Sequence, residues 1–183
     1  MASSFQRAKV RAMFEAFDAD GNGYLEERDF EALAARWELL PRVASGPELT
    51  ARVRAVMLGW WQHLSTVAGG GPVEQIDLDD LMAMVDRLPA MREAVVATAD
   101  VVFDAVDENG DGRISRHEHG RLVDTWHGRS IPTGDVFDRL DQDGDGFLSR
   151  PEFALLWTQF WTSDDPAEPG NLMCGPVTGT PAA

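Results

Sequence analysis

The chain has 183 residues with 31 acidic against 16 basic side chains, so its formal net charge at pH 7 is −15. A chain this acidic repels nucleic acid and anionic lipid, and we expect neither as a partner. A hydrophobic share of 44% with six tryptophans excludes a disordered acidic chain, and a single cysteine, Cys174, excludes an intramolecular disulfide.

The first predicted helix, residues 5–17, begins directly after the first four residues and has apolar side chains at helical spacing. This arrangement leaves no room for an apolar secretory leader, and no apolar run in the chain is long enough to cross a bilayer. Because a chain without disulfides is typical of a reducing compartment, we expect a cytoplasmic location. We also expect a monomer.

Three twelve-residue segments superimpose without gaps: DADGNGYLEERD at 18–29, DENGDGRISRHE at 107–118 and DQDGDGFLSRPE at 141–152. We call them loops one, three and four. Loops three and four match the calcium-loop pattern D-x-[DN]-x-[DN]-G-x5-E at every specified position, and loop one departs only at its end, where Asp29 replaces glutamate. The repeat therefore predicts three Ca²⁺ sites of the EF-hand type.

The spacing follows from the cation, because Ca²⁺ takes about six to eight oxygen ligands and one loop wound round it can supply most of them. Positions 1, 3, 5, 9 and 12 offer side chains, position 7 offers its backbone carbonyl, and the glycine at position 6 allows the sharp turn. The predicted ligands are Asp18, Asp20, Asn22, Tyr24, Glu26 and Asp29; Asp107, Asn109, Asp111, Arg113, Ser115 and Glu118; and Asp141, Asp143, Asp145, Phe147, Ser149 and Glu152.

The glutamate at position 12 has two interpretations. Ser115 with Glu118, and Ser149 with Glu152, have the spacing of a helix capping box, and Glu is also the bidentate metal ligand of this loop. Both roles can hold together. In loop one, Asp29 is one methylene shorter than glutamate, so a lower coordination number favours Mg²⁺ there, with Glu26 able to compensate in part.

A fourth hand is predicted because loop position 8 is apolar in all three loops and pairs with a partner loop. The candidate is residues 69–80 (GGGPVEQIDLDD), which we call loop two and which places Ile76 at position 8 and Asp80 at position 12. Positions 1, 3 and 5 become Gly69, Gly71 and Val73, which offer no side-chain oxygen, so this hand should be empty. The alternative is that the three glycines form a flexible linker.

The remaining periodicity predicts an all-α fold of four EF-hands in two pairs. An N-terminal pair should span residues 1–88, with hand one active and hand two degenerate, and a C-terminal pair with two active hands should span 89–162, leaving a tail at 163–183. The boundary, near 88–91, is too short for a free linker, so the pairs should pack together. Predicted helices lie at residues 5–17, 26–39, 47–65, 78–88, 91–106, 115–126, 133–140 and 149–161.

The order filled, empty, filled, filled resembles the sarcoplasmic calcium-binding proteins and their bacterial relative calerythrin. The stretch DDPAEPGN at 164–171 looks like the calerythrin-type tail, which folds back over the helices. This resemblance implies a compact globule that buffers or transports calcium. The alternative for the tail, from its Pro and Gly content, is a disordered end.

Two other functions stay open. A calcium sensor would expose an apolar groove to a protein target, and such grooves are commonly rich in methionine. A luciferin-binding or photoprotein-like chain would enclose a cavity lined by Trp, His and Tyr, with His63 and His127 as candidates. We expect no enzyme: His117 and His119 should be solvated helix residues, and Cys174 has no recognisable base near it in the sequence.

Overall fold

The computed structural model describes residues 3–67, 73–85 and 92–176, and the all-α prediction is confirmed. Within those ranges, no helix combines the length and the apolarity needed to cross a bilayer. The elements in chain order are α1 (Ser4–Phe17), α2 (Glu27–Glu38), α3 (Pro41–Ser45), α4 (Pro47–Val67), α5 (Leu78–Val85), α6 (Arg92–Val106), β1 (Arg113–Ser115), α7 (Arg116–His127), α8 (Val136–Leu140), β2 (Phe147–Ser149), α9 (Arg150–Thr162) and a 3₁₀ turn (Pro169–Leu172).

The first helix shows why these segments are helical. Ser3 caps α1, because its hydroxyl accepts the backbone N–H of Gln6 at 3.1 Å. Val10, Phe14 and Phe17 then recur at the three- and four-residue spacing of one helix face, and all three side chains are buried. The helix is thus held by a polar cap at its start and an apolar stripe along its length.

Two segments differ from the prediction. Helix α3 was not expected, because five residues are too few to show a period, although Pro41 occupies the first helical turn that tolerates proline. Helix α8 begins at Val136 rather than at residue 133. Gly134 has a φ of +51°, outside the right-handed helical region, so regular helix starts only after it.

The loops pair through their eighth residues, as predicted. Leu25 and Ile76 exchange two backbone hydrogen bonds of 2.8 and 3.0 Å in an isolated antiparallel bridge. Strands β1 and β2 form a three-residue antiparallel ladder in which Ile114 faces Leu148. All four side chains are fully buried, so each bridge is also part of the core. The predicted boundary between the pairs, near residues 88–91, lies outside the described residues.

The two halves of the chain meet at a cluster of tryptophans. Trp60 of α4 lies 6.1 Å from Trp126 of α7 between ring centroids, and 6.4 and 5.7 Å from Trp157 and Trp161 of α9. Each aromatic contact of this kind stabilises by about 0.5 to 1.5 kcal/mol beyond the burial of its area. The N-terminal and C-terminal helices therefore share one core, which agrees with the prediction that the two pairs pack together.

The tail folds back over the helices, at least as far as Pro176. The ammonium of Lys9 in α1 donates to the carbonyl of Ser163 at 2.7 Å and to Oδ1 of Asn171 at 2.8 Å. Met173 and Cys174 at the far end of the 3₁₀ turn are buried. Of the two interpretations of the tail, the structure has the ordered one for residues 163–176, and residues 177–183 lie outside the described part.

A second contact between the halves depends on a glycine. Gly128 ends α7 in the left-handed region with a φ of +66°, and the guanidinium of Arg36 from α2 packs directly on it. A Cβ at Gly128 would lie 2.1 Å from Nη1 of Arg36, whose Nη2 donates to the carbonyl of Ala16 at 3.1 Å. Any side chain at this position would have to displace Arg36 from that bond.

We expect Gly128→Ala to lower the free energy of unfolding by about 2 kcal/mol or more. The left-handed backbone alone costs an alanine about 1 to 2 kcal/mol, and the displaced Arg36 adds to that. The measurement is chemical denaturation at fixed Ca²⁺ concentration. Gly120→Ala is the matched control, because Gly120 lies inside α7 with no atom within 4 Å of an added Cβ. This control should gain about 0.5 to 1 kcal/mol, and a similar loss in both variants would contradict the role of Arg36.

Candidate metal centres

Each loop is organised around the carboxylate at its first position. In loop one, Oδ1 of Asp18 accepts the backbone N–H groups of Gly21 and Asn22 at 2.8 and 3.1 Å, and Oδ2 accepts that of Gly23 at 2.9 Å. These donors belong to a turn that the loop makes around its own first residue. The backbone therefore fixes the direction of this carboxylate without help from another element.

Loops three and four repeat this geometry. Asp107 accepts the N–H groups of Gly110 and Gly112, on Oδ1 at 2.9 Å and on Oδ2 at 3.1 Å. Asp141 accepts those of Gly144 and Gly146, at 2.9 Å each and on the corresponding oxygens. Three segments that are distant in sequence thus share one backbone geometry around the first aspartate.

The acidic residue at position 12 also has the same role in loops one and three. The oxygens of Asp29 accept the N–H groups of Ala19 and Glu26 at 3.0 and 2.8 Å. The oxygens of Glu118 accept those of Glu108 and Ser115 at 2.9 and 2.8 Å, again at loop positions 2 and 9. In loop four, Glu152 accepts the position-9 N–H of Ser149 at 2.9 Å. The shorter Asp29 thus reaches the same backbone donors as glutamate does.

Carboxylates are crowded in two of the loops. One oxygen each from Asp18, Asp20 and Asp29 lie within 4.8 Å of one another, and the same is true of Asp141, Asp143 and Asp145. Burial raises the pKa of Asp29, opposed by its backbone hydrogen bonds and reinforced by the charges of Asp20 and Asp18. Hard oxygen ligands gathered at one point are what Ca²⁺ and Mg²⁺ prefer, so the donor set fits a divalent cation.

The same crowding acts on Asp143 in loop four. The N–H of Asp145 lowers the pKa of its carboxyl group, but desolvation and the charges of Asp145 and Glu152 outweigh that effect and raise it. The charges of Asp145 and Glu152 thus repel that of Asp143, and a divalent cation bound in loop four would relieve this repulsion.

The side chains at position 7 differ in their surroundings, and in loop three Nη2 of Arg113 lies 3.9 Å from Oδ2 of Asp111. Tyr24 is 44% exposed, and the guanidinium of Arg113 lies 4.1 Å from the ring centroid of Phe147 across the β-ladder. Their chemical variety matters little, because only the backbone carbonyl is expected to contribute at this position. The side chains instead support the pairing of loops three and four.

Besides Arg113, two arginines lie against the predicted ligands, and the sequence pattern did not identify them. Arg28, inside loop one, makes ion pairs with Asp20 at 3.1 Å and with Glu26. Arg42 of α3 pairs with Asp107 at 2.9 Å although the two residues are 65 positions apart. Arg28 could have been suspected from its place in the loop. No periodicity connects Arg42 to loop three.

Loop two is described only from residue 73 onward, and this part differs from the other loops. Gly69 and Gly71, on which the prediction of an empty hand depends, lie outside the described residues. Asp80 and Asp77 cap α5 reciprocally, with N–H to carboxylate distances of 2.9 and 3.3 Å. Gln75 donates from Nε2 to Oε1 of Glu26 at 2.6 Å, which ties loop two to loop one beside the Leu25–Ile76 bridge.

The prediction for the histidines is correct for His117 and wrong for His119. His117 is exposed, whereas His119 is fully buried and its Nε2 lies 3.0 Å from the carbonyl of Met173. Burial lowers the pKa of His119 to about 4, so it is neutral and fixes the tail. Burial also raises the pKa of the Cys174 thiol, which keeps it in the unreactive protonated form.

Comparison with known families agrees with the geometry of the loops. The EF hand family matches residues 98–123 and 134–157, which contain loops three and four. The EF-hand domain pair family matches residues 3–36, which contain loop one. Every predicted metal-binding loop therefore falls within a matched region.

Two curated annelid proteins are similar in sequence. The sarcoplasmic calcium-binding protein of Hediste diversicolor is 29% identical over 117 residues, which is 61% of this chain and 64% of the relative. That of Perinereis vancaurica tetradentata is 30% identical over 113 residues, with the same two coverages. The similarity thus spans just under two thirds of the length of these relatives.

Solved structures share the fold over most of the chain. A sarcoplasmic calcium-binding protein from amphioxus superimposes with a TM-score of 0.72 and 18% identity, covering 96% of this chain and 99% of its own. A Streptomyces coelicolor calcium-binding protein gives 0.68 and 22%, covering 84% and 96%. The coelenterazine-binding protein of Renilla muelleri gives 0.61 and 20%, covering 93% and 94%. At these identities the likeness concerns the fold alone.

We expect Asp143→Asn to have opposite effects with and without metal. The asparagine keeps an oxygen at position 3, as Asn109 does in loop three, but the loop loses one negative charge, so Ca²⁺ binding in loop four should weaken about three- to tenfold. In chelator the same change removes a repelling charge and should leave the unfolding temperature unchanged or higher. Calorimetric titration and thermal unfolding measure the two effects.

The control for this experiment is Asp79→Asn, which removes one exposed carboxylate from α5, outside the carboxylate clusters. It should leave the affinity of loop four within about twofold of the wild type. If Asp143→Asn destabilised the chelated protein more than Asp79→Asn does, the repulsion inferred for loop four would be contradicted.

Proposed function

Since this chain is an EF-hand protein similar to the sarcoplasmic calcium-binding proteins, we propose that it is an intracellular calcium buffer or modulator with Ca²⁺ sites in loops one, three and four. The observation that carries the proposal is the common backbone geometry around Asp18, Asp107 and Asp141. A carboxylate held in this way presents its oxygens to the loop interior before any metal arrives. The proposed ligands are those predicted from loop positions 1, 3, 5, 7, 9 and 12.

The arrangement supports binding rather than catalysis. Residues 1–88 and 89–162 would act as two pairs of hands in one monomer, with residues 163–183 as a tail. Three bound Ca²⁺ ions would add six positive charges to a chain of formal net charge −15. Because this relieves repulsion only in the folded loops, calcium should stabilise the protein by linkage.

The core favours a buffer over a sensor. A sensor needs adaptable apolar side chains that become exposed, and methionines often serve this purpose. Here Met13, Met57 and Met173 are buried, and Trp126 and Trp157 at the junction of the two halves are at most 1% exposed. Opening a groove would break stacked aromatic contacts between the halves. A protein target therefore stays the second candidate.

A bound chromophore has less support. The cavity beside Lys9 is lined by Trp126, His127 and Phe160, as a chromophore site would require, but its volume is only about 20 Å³. Small-molecule sites usually measure about 300 to 1,000 Å³. His63, the other histidine considered for this role, is exposed on α4. The described cavity would hold little more than a water molecule.

The proposal is tested by titrating the chelated protein with Ca²⁺ in a calorimeter, while an apolar dye and tryptophan fluorescence report the core. We expect three equivalents of Ca²⁺ and a fall in dye binding, because relief of repulsion tightens the core. Three equivalents with a rise in dye binding would favour the sensor. Fewer than three equivalents would contradict the assignment of the sites.

The length of the residue at position 12 should set ion preference. We expect Asp29→Glu to raise the Ca²⁺ affinity of loop one about tenfold relative to its Mg²⁺ affinity, because the longer side chain can bind bidentately. Glu152→Asp in loop four is the reverse change and should lower that ratio. Competition titrations with and without millimolar Mg²⁺ measure both. Equal ratios in Asp29→Glu and the wild type would exclude Mg²⁺ preference caused by Asp29.

A further inference from the structure

Arg42 of α3 reaches from the connection between the first two hands into loop three. Its Nη1 donates to the backbone carbonyl of Asp107 at 2.8 Å and lies 2.9 Å from Oδ2 of the same residue. The guanidinium also lies over Gly110, where an added Cβ would be 3.8 Å from its Cζ. One arginine from the N-terminal half thus holds the first residue of a loop in the C-terminal half.

An arginine on the carboxylate at position 1 distinguishes loop three from the other two predicted sites, since Arg28 in loop one pairs with Asp20 and Glu26 at positions 3 and 9. Among the ion pairs of the described residues, no arginine pairs with Asp18 or Asp141. Asp107 is also more enclosed, since its side chain is 3% exposed, whereas Asp18 and Asp141 are only partly buried. Asp107 therefore carries a cation that its equivalents lack, in a place with little water.

The arginine is not needed to orient the carboxylate. Asp107 accepts backbone N–H groups from Gly110, Asp111 and Gly112, and Asp18 is held by three equivalent bonds with no arginine present. Removing Arg42 would leave these three bonds in place. What Arg42 contributes to the site is chiefly its positive charge.

We propose that Arg42 is a built-in competing cation that lowers the Ca²⁺ affinity of loop three and links the occupancy of that loop to helix α3. The inference rests on the proposed function, because it assumes that Ca²⁺ binds in loop three. A divalent ion and a guanidinium on one carboxylate repel each other, and water screens this repulsion weakly where the carboxylate is buried.

Linkage makes the effect reciprocal. If Arg42 weakens Ca²⁺ binding by some factor, bound Ca²⁺ must weaken the hold of Arg42 on Asp107 by the same factor. Loading loop three therefore loosens the anchor of α3, the segment that joins the first two hands. Ca²⁺ binding in the C-terminal half therefore weakens a contact made by the N-terminal half, and no change in the tryptophan cluster is needed for this.

The test is a Ca²⁺ titration of the ¹⁵N-labelled full chain, followed at the amides of Gly112, Gly146 and Gly23, which report loops three, four and one. Arg42→Gln should lower the Gly112 midpoint about three- to tenfold, because it removes a positive charge from beside the site, and the 36% exposure of the Arg42 side chain leaves that charge partly screened. The Gly146 midpoint should shift by no more than the Gly112 midpoint, because the β-ladder couples loops three and four. The Gly23 midpoint should stay within about twofold of its wild-type value. Arg42→Lys keeps the charge and should stay near the wild type.

Arg54→Gln is the matched control. Arg54 belongs to the same half of the chain and pairs with Glu38 at 3.0 Å, an ion pair that contacts none of the proposed ligands. The variant removes one charge and one ion pair, as Arg42→Gln does. It should leave the Gly112 midpoint unchanged, so any general effect of net charge is separated from the local one.

Thermal unfolding measures the reciprocal effect, in which bound Ca²⁺ weakens the contact between Arg42 and Asp107. Arg42→Gln should lower the unfolding temperature by about 2 to 6 °C in chelator and by less in saturating Ca²⁺. An unchanged or higher Gly112 midpoint in Arg42→Gln, with normal binding in the wild type, would overturn this inference and leave the proposed function intact. If Ca²⁺ did not shift Gly112 in the wild type, the proposed function itself would fail.

Discussion

The structure depends on holding several carboxylates around one point, where their negative charges repel one another. Each loop meets this requirement with its own backbone, because N–H groups of the turn converge on the first aspartate, as at Asp18 and Asp141. Such donors stabilise the ionised form of a carboxyl group, which offsets part of the repulsion between neighbours. The remainder of the repulsion is what a divalent cation would relieve.

A loop of this kind cannot stand alone, and the rest of the fold follows from that. Leu25 pairs with Ile76 and Ile114 with Leu148, so each loop is completed by a partner. The helices that leave these pairs carry the aromatic side chains that meet around Trp60. The cluster in turn fixes how one pair of hands sits on the other, and this places Arg42 against loop three.

Local patterns in the sequence predicted the loops, their pairing and most helices, because each depends on residues close together in the chain. The contacts between distant segments could not be found in this way, and Arg42 with Asp107 is the clearest case. His119 is a different kind of miss. It precedes Leu122, Val123 and Trp126 by three, four and seven residues, the spacing of one apolar helix face, so its burial was readable. The prediction of a solvated residue was based instead on its position next to Glu118, the last residue of loop three.

Lys9 is the only lysine of the chain, and its ammonium is enclosed between α1 and the tail. Burial lowers its pKa to about 8, opposed by the nearby Asp164, but once water reaches the amine the pKa returns to about 10.4, so labelling of the exposed form requires alkaline solution. An acylating reagent can reach this nitrogen only after it leaves Ser163 and Asn171. The rate of covalent labelling at this single side chain thus records how often the tail lifts from the first helix, without any engineered probe.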